Sequence, residues 1–466
     1  MPKKNDCLCG IVRSLGTQGE GVLRTDDTTF FVPGALPGEE ISFQVLKVKD
    51  GIGYGKLLWV SAPSSDRVSP RCPVFGRCGG CQLQHMRYGA QLAFKREVVQ
   101  TALRKIGNIE FSVPLPIASP KEYAYRNKMQ VPVGESADGM PLLGFYAERS
   151  HRIVPTDSCA VHPSWASDIL RIFAEYMAAN GVRGYDERTR AGTVRHVVVR
   201  DMGGRFIIAV VSAQRKLNNA EDLIRRLREC FSEFTLVLNI NARDTNVIFG
   251  EEFITLYGDG FFAAEEGGIV FRAGPQTFIQ VNGDVRTKLY ALALEWAAVT
   301  GKETIFDCYS GAGLLTAMAA ARAKHAYGIE VSAEAVSCAD CLMRDNGIVN
   351  MQNICGKVED VLPGLLEREK GEKVSLICDP PRAGMHRSVL RAIEGSGIGR
   401  VVLISCNPAT LARDLGILTG TLKEDERGQL LKGDGDGAYS VEAMQPFDMF
   451  PQSKHVETVV LLQRNG

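Results

Sequence analysis

Several strand-like runs of Val, Leu and Ile end abruptly on residues that can do chemistry. In VSLICDPPRAG, Asp379 follows the run, and Pro380 and Pro381 prevent it from continuing. In RVVLISCNPATLARDL, Cys406 stands in the same place, ahead of Asn407, Pro408 and a helix-forming stretch. In ETIFDCYSGAGLLTAMAAARAKHAYGIEVS, Tyr309 follows one run and Glu330 ends the next. Open α/β sheets bind ligands outside the carboxyl ends of their strands, so these four side chains are expected on one edge. A single cysteine is most often a small buried hydrophobe. One set between a strand end and a helix N-terminus differs, because the helix dipole lowers the thiol pKa. Cys406 therefore reads as a nucleophile.

The glycine loop between the first two of these strands suggests a cofactor. Gly311 and Gly313 allow backbone to approach a ligand at a helix start, and Glu330, 23 residues after Asp307, can accept ribose hydroxyls. The loop lacks the third glycine of a dinucleotide fingerprint, which disfavours NAD and prefers an adenosyl-bearing methyl donor. The bland alternative is a glycine loop that merely turns, and Glu330 weighs against it. A thiolate beside a methyl donor points to carbon 5 of uracil. That carbon is too weakly nucleophilic until a thiolate adds at carbon 6, and a base must afterwards remove the carbon-5 proton. The segment MFPQSKHVETVVLLQ offers Glu457 at a strand start, with His455 two residues earlier. Spacing alone leaves Glu457 one candidate base, since a solvated strand-end Glu is the commoner explanation.

A second cluster of sulfur lies near the N-terminal third. RCPVFGRCGGCQLQH carries Cys72, Cys78 and Cys81 as C-x5-C-x2-C, with Cys159 the best fourth ligand. Four thiolates suit zinc or an iron–sulfur cluster equally on softness grounds. A fourth protein ligand would leave no open iron, which favours a structural cluster. Cys338 and Cys341 fall on a helix, where core packing is the expected role.

Three regions must position these groups. Residues 1–62 show short alternating runs with turn chemistry between them (25–27, 37–38, 50–55), the pattern of a small β-barrel. Residues 66–252 read mainly as strands around the cysteines, and 255–466 as a doubly wound α/β domain with a mostly parallel sheet. The linker at 61–70 separates the first two, and a helix over 91–106 could pack away from its neighbours. The chain is neutral overall, with 54 basic and 54 acidic residues. Locally, residues 61–130 carry eleven Lys and Arg against four Asp and Glu, a net +7. Tyr88, Phe94, Tyr123 and Tyr125 are interleaved there, so RNA contact is expected of it. Residues 1–60, with seven basic and seven acidic residues, contribute no such excess. No secretory leader and no apolar run long enough for a bilayer are present. The chain thus reads as a soluble cytoplasmic protein with no obligate protein partner.

The motifs GEGVLR…FVPGALPGE, GFYAERSHRIVPTDSC, RHVVVR, PQTFIQVN, FDCYSGAG, CDPPRAGMH, SCNPATLARDL and FPQSKHVETVVLL occur in one order over nearly the whole chain. Together they resemble the RNA uracil-5-methyltransferase family, specifically its iron–sulfur type acting on 23S rRNA. The resemblance implies a class I methyltransferase domain, an N-terminal TRAM domain and a [4Fe-4S] cluster on Cys72, Cys78, Cys81 and Cys159. It implies that Gln280, Tyr309, Glu330 and Asp379 bind S-adenosylmethionine, with Cys406 the nucleophile and Glu457 the base. Structured RNA is the implied partner, 23S rRNA ahead of tRNA because cluster and TRAM domain go together in the rRNA-modifying members. A cytosine-5 enzyme would carry a second cysteine context such as Pro-Pro-Cys, whereas Pro381 is followed by Arg382. A non-catalytic RNA-binding iron–sulfur protein would have lost Cys406, Asp379 or Glu457.

Overall fold

In the strand Glu40–Lys49, Ile41, Phe43 and Val45 point inward while their neighbours face out, as a half-buried strand requires. They meet Leu23, Phe30 and Val32 from the strands Gly21–Thr25 and Thr28–Val32. With Cys7–Ile11, Ser14–Leu15 and Ile52–Ala62 these form one six-stranded sheet in the computed structural model. The structure describes residues 2–25, 27–136, 138–425 and 427–466. Asp26, in the turn expected at 25–27, lies outside the described residues. Just past the first strand, the N–H of Arg13 donates to the Val22 carbonyl at 2.8 Å, so the two edges of the sheet approach. The segment after the sheet is anchored as well. Arg67 donates to the Gly34 carbonyl at 2.6 Å and to the buried Glu39 carboxylate at 2.7 Å. Burial alone would raise the Glu39 pKa, but Arg67 and the N–H groups of Leu36 and Ser64 hold it below the usual range.

The second sheet has seven strands, in the order Glu252–Tyr257, Glu233–Ile240, Arg205–Ser212, Val194–Asp201, Lys128–Glu135, Pro141–Tyr146 and Ile153–Pro155. The helices Trp165–Ala179 and Ala220–Cys230 bury Ile169, Phe173, Leu223 and Leu227 against Val197, Val199, Ile208 and Val210. Ile248 and Phe249 cover Val198, Ala209 and Val211 on the other face. Covered on both faces, Val194–Asp201 is buried over nearly its whole length, Arg195, His196 and Arg200 included. The strand Glu252–Tyr257 pairs antiparallel with Glu233–Ile240, so the dividing line expected between 252 and 255 falls inside this sheet.

The third sheet is built from β1 (Thr304–Cys308), β2 (His325–Glu330), β3 (Met351–Cys355), β4 (Val374–Cys378), β5 (Arg400–Ser405), β6 (Tyr439–Phe447) and β7 (Glu457–Arg464). Its order is β3-β2-β1-β4-β5-β7-β6, parallel through β5, with β7 antiparallel to both neighbours. Helices alternate with the strands, which makes this a Rossmann-like doubly wound sheet whose order reverses between β1 and β4. The helix Tyr88–Ala102 and the π-helical turn Leu103–Gly107 join this core from far away in sequence. Val99, Ala102 and Leu103 pack with Leu411 and Leu415 of the helix Pro408–Leu418. The run 432–437, which looks like a hairpin turn, lies instead beside 419–421, with three glycine N–H groups donating to that stretch. Among the described residues, no helix is long and apolar enough to cross a membrane.

Candidate active site

Strand register decides which reactive groups meet. Ser405, the last residue of β5, pairs with Thr458 of β7. The residues one step beyond, Cys406 and Glu457, therefore face each other at the carboxyl edge of the sheet. Asn407 caps the helix Pro408–Leu418, its side-chain oxygen accepting from the Ala409 N–H at 3.1 Å. Its amide donates to the Arg382 carbonyl at 2.9 Å, which ties this loop to the one after β4. That loop starts at Asp379, whose N–H donates to the Cys308 carbonyl at 3.3 Å. Burial pushes Asp379 up to about 7. Glu457 is 3% exposed and is held well above the usual carboxylate range, by burial first and by the Asp379 charge second, with Arg382 opposing. A carboxylate with so high a pKa is a stronger base than a solvated one.

The Cys406 thiol also moves up, through burial and then the Glu457 charge, while the guanidinium of Arg382 hydrogen-bonds it and pulls the other way. The lowering expected from the helix dipole is thus outweighed. His455 falls to about 4 through burial and then the charge of Arg382, so it is a neutral imidazole at physiological pH.

The cofactor-type loop is ordered by its own carboxylate. One oxygen of Glu330 accepts from the Gly311 N–H at 3.0 Å and the other from the Ser332 N–H at 2.8 Å. Each oxygen keeps lone-pair capacity for a ribose hydroxyl. Tyr309 adopts a left-handed backbone (φ 66°), and its ring packs on the apolar core, where burial raises its hydroxyl pKa. Gly313 (φ 80°) touches the helix Ala333–Asp345, where a Cβ would stand 2.6 Å from that of Ala339. Asp307, buried, accepts from the Thr316 hydroxyl at 2.6 Å and is pushed to about 7, chiefly by burial. Gln280 comes from a loop outside the sheet. It is 6% exposed, and its carbonyl accepts from Asn127 at 3.3 Å.

The sequence profile described as tRNA (uracil-5-)-methyltransferase matches residues 88–465. The chain belongs to this family. An uncharacterized RNA methyltransferase of Halalkalibacterium halodurans is 39% identical over 99% of this chain and 97% of its own length. One of Clostridium tetani is 38% identical over 100% of this chain and 98% of its own. Among solved structures, the tRNA (uracil-54, C5)-methyltransferase of Pyrococcus abyssi, in complex with S-adenosyl-L-homocysteine, shares the fold. It aligns with a TM-score of 0.76 and 24% identity over 97% of this chain and 99% of that one.

In this family member the sequence reading missed the groups that hold the loop ahead of Glu457. Lys95 and Asp448 form a fully buried ion pair, and Lys95 also donates to the Phe450 carbonyl at 3.0 Å. Gln91 donates to the Gln452 side chain at 3.0 Å and accepts from its N–H at 3.0 Å. Tyr125 donates to the Pro451 carbonyl at 3.0 Å. The signal for Lys95 is a lysine set among the apolar positions Phe94, Val98, Val99 and Ala102 of a helix. Arg382 was visible only as the residue that is not a cysteine.

The uracil methyltransferase's four-cysteine locus departs from expectation. Cys72, Cys78, Cys81 and Cys159 are half-buried, form no disulfide and lie close enough to sense one another's charge. Burial, and then the neighbouring thiols, push Cys81 up to about 12 against a hydrogen bond from Gln84, and Cys159 up to about 11. Thiols this hard to ionise are inert unless a cation replaces their protons. Yet among the described residues no group of three or more His, Cys, Asp or Glu is placed to hold a metal ion. The four soft, free, partly buried sulfur donors suit zinc and a polynuclear iron–sulfur cluster alike.

Proposed function

We propose that this chain forms 5-methyluridine in 23S rRNA with S-adenosylmethionine as methyl donor. The observation that carries the reading is the register that sets Cys406 against Glu457, with Asp379 and Arg382 beside them. When bound, S-adenosylmethionine supplies an electrophilic methyl group. Glu330 would accept its ribose hydroxyls, and Tyr309, Gln280 and Asp379 would complete its site. The Cys406 sulfur adds to carbon 6 of the uracil ring, and the displaced electron pair makes carbon 5 nucleophilic. Once carbon 5 carries the methyl group, Glu457 takes its proton. The ring double bond then re-forms as the bond between sulfur and carbon 6 breaks. Arg382 stabilises the thiolate at both ends of the sequence.

Preference for rRNA is supported by the four-cysteine locus, read as a structural [4Fe-4S] site, and by the N-terminal sheet, read as a TRAM-type RNA-binding barrel. Trp59 is 66% exposed on that sheet, and Phe31 and Tyr54 stack at 6.0 Å, so unpaired bases have a platform. A tRNA substrate is the second reading, favoured by the family's description and by the Pyrococcus abyssi enzyme. Both readings fit a cytoplasmic enzyme that needs no protein partner.

Fluorine at carbon 5 cannot leave as a proton, so 5-fluorouridine RNA should trap the enzyme covalently. A denaturation-stable adduct with a 23S rRNA transcript, absent with tRNA and in Cys406→Ser, is the expected result. Adduct with tRNA alone would transfer the activity to tRNA, and adduct that survives Cys406→Ser would sink the assigned nucleophile.

A further inference from the structure

Arg200, on the strand Val194–Asp201 of the second sheet, is 2% exposed. Lys128 stands directly opposite it on the neighbouring strand Lys128–Glu135. Burial and then the charge of Arg286 lower the Arg200 pKa only to about 10, so the guanidinium remains a cation at neutral pH. Its Nε and Nη1 have no hydrogen-bond partner, while Nη2 donates to the Thr277 carbonyl at 2.6 Å. A buried cation with unpartnered N–H groups, set across from another cation, costs stability. An apolar side chain would avoid that cost, so stability does not account for this arginine. What it does is hold one carbonyl.

That carbonyl belongs to the loop 274–282, which carries Gln280 three residues on. Thr277 is fixed a second time, its hydroxyl accepting from the Gly274 N–H at 3.0 Å. Beyond it Ile279, 6% exposed, packs in the core of the third sheet. Asn127 then takes both carbonyls at the far end of the loop. Its side-chain amide donates to that of Gln280 at 3.3 Å, and its N–H to that of Val281 at 2.9 Å. Asn127 is joined in turn to the strand of Arg200, its carbonyl accepting from the Asp201 N–H at 2.8 Å. The backbone of Gln280 is thus bracketed by two anchors that belong to the second sheet. Among the described residues the Gln280 side-chain amide makes no hydrogen bond of its own, so its aim depends on these anchors. A group that binds a ligand loses affinity steeply when its support is loosened.

We propose that Arg200, through Thr277, and Asn127 are positioning residues for Gln280, which makes the second sheet a determinant of affinity for S-adenosylmethionine. The inference rests on the reading of Gln280 as a cofactor residue. Titration calorimetry with S-adenosyl-L-homocysteine tests it on the full-length protein, comparing wild type with Arg200→Met, Arg200→Lys, Gln280→Ala and the double variant of Arg200→Met and Gln280→Ala. Arg200→Met and Gln280→Ala should each weaken binding about tenfold. The double variant should bind no more weakly than Gln280→Ala, because an anchor has no effect on an amide that is gone. Arg200→Lys keeps a charged donor and should recover most of the affinity. At saturating S-adenosylmethionine, kcat of Arg200→Met should return close to that of wild type. Alkylation of Cys406, followed by peptide mass spectrometry, should proceed at the wild-type rate. Additive losses in the double variant, or an altered rate at Cys406, overturn the assignment and make Arg200 a support of the whole fold. Full affinity in Gln280→Ala overturns it by a different route, removing Gln280 from the cofactor site. If Arg200→Met does not fold, Asn127→Asp goes through the same cycle, since it keeps the backbone bonds and turns the side-chain donor into an acceptor. Should the fluorouridine trap fail while the non-additive pattern holds, the methylation reading falls and the positioning role stands.

Discussion

Cys406 sits at the head of a helix, yet its thiol is harder to ionise than a free one, and the reason lies in relative magnitudes. A helix N-terminus contributes about 0.3–1 kcal/mol toward a nearby anion. Burial beside the Glu457 carboxylate works against it and wins. Arg382 then becomes the group that makes thiolate accessible. Arg382→Gln removes both its charge and its hydrogen bond, so the thiol pKa should rise further and the rate of Cys406 alkylation should climb only at higher pH than in wild type. An unshifted pH profile would remove Arg382 from the mechanism.

Asp307 allows a sharper sign argument. Its folded pKa, about 7, lies above its unfolded value, so the stability linked to its protonated form is complete below the unfolded pKa and is lost as pH rises through 7. Asp307→Asn keeps an acceptor for Thr316. It should therefore raise Tm at about pH 8 and leave it nearly unchanged at about pH 4. Positions at this scale were legible because Asp379 and Cys406 interrupt apolar runs at strand ends. Their protonation was not, since burial is set by residues remote in sequence.

At the scale of elements, the helix Tyr88–Ala102 was legible from its periodicity and its destination was not. Its decisive contact, Lys95 with Asp448, spans 353 residues, and no local pattern encodes such a partner. The ion pair holds the loop that ends at Glu457, so in the mechanism proposed above it positions the base rather than touching substrate. Lys95→Met strands the Asp448 carboxylate in the core and should cost about 3–5 kcal/mol, while adding Asp448→Leu should recover much of that. Chemical denaturation of the two variants checks the energetics. If the double variant regains stability but not kcat, the pair serves the geometry of Glu457. If it regains both, apolar packing suffices to place the loop. The strand Glu252–Tyr257 shows the converse limit. Six residues reading EFITLY do not say which of two sheets they extend, and only the pairing with Glu233–Ile240 decides it.

Across the whole molecule, the three sheets are joined through the residues that follow the cysteines. The N–H groups of Gln82 and Leu83, directly after Cys81, donate to the Gln452 carbonyl at 3.1 and 2.9 Å. Lys454 reaches Gln18 of the N-terminal sheet from the same loop. The order of the three regions was readable from composition, but this convergence on residues 448–454 was not, because each partner is polar and individually unremarked in sequence. It ties the cysteine locus to the loop ahead of Glu457, and in the proposed mechanism that is a mechanical link to catalysis that needs no redox step. An iron–sulfur cluster there would fix Cys81, hence Gln82 and Leu83, hence the loop that delivers Glu457. Cys159→Ser should therefore lose iron and acid-labile sulfide after anaerobic purification, lower Tm, and reduce kcat for methyl transfer while leaving S-adenosylmethionine affinity nearly unchanged. The split follows from position: the Gly311–Glu330 contacts lie on β1 and β2, away from this chain of hydrogen bonds. Equal loss of cofactor affinity would show that the locus supports the whole fold rather than the loop. Wild-type protein free of iron and sulfide would remove the cluster altogether, and with it the main support for rRNA over tRNA.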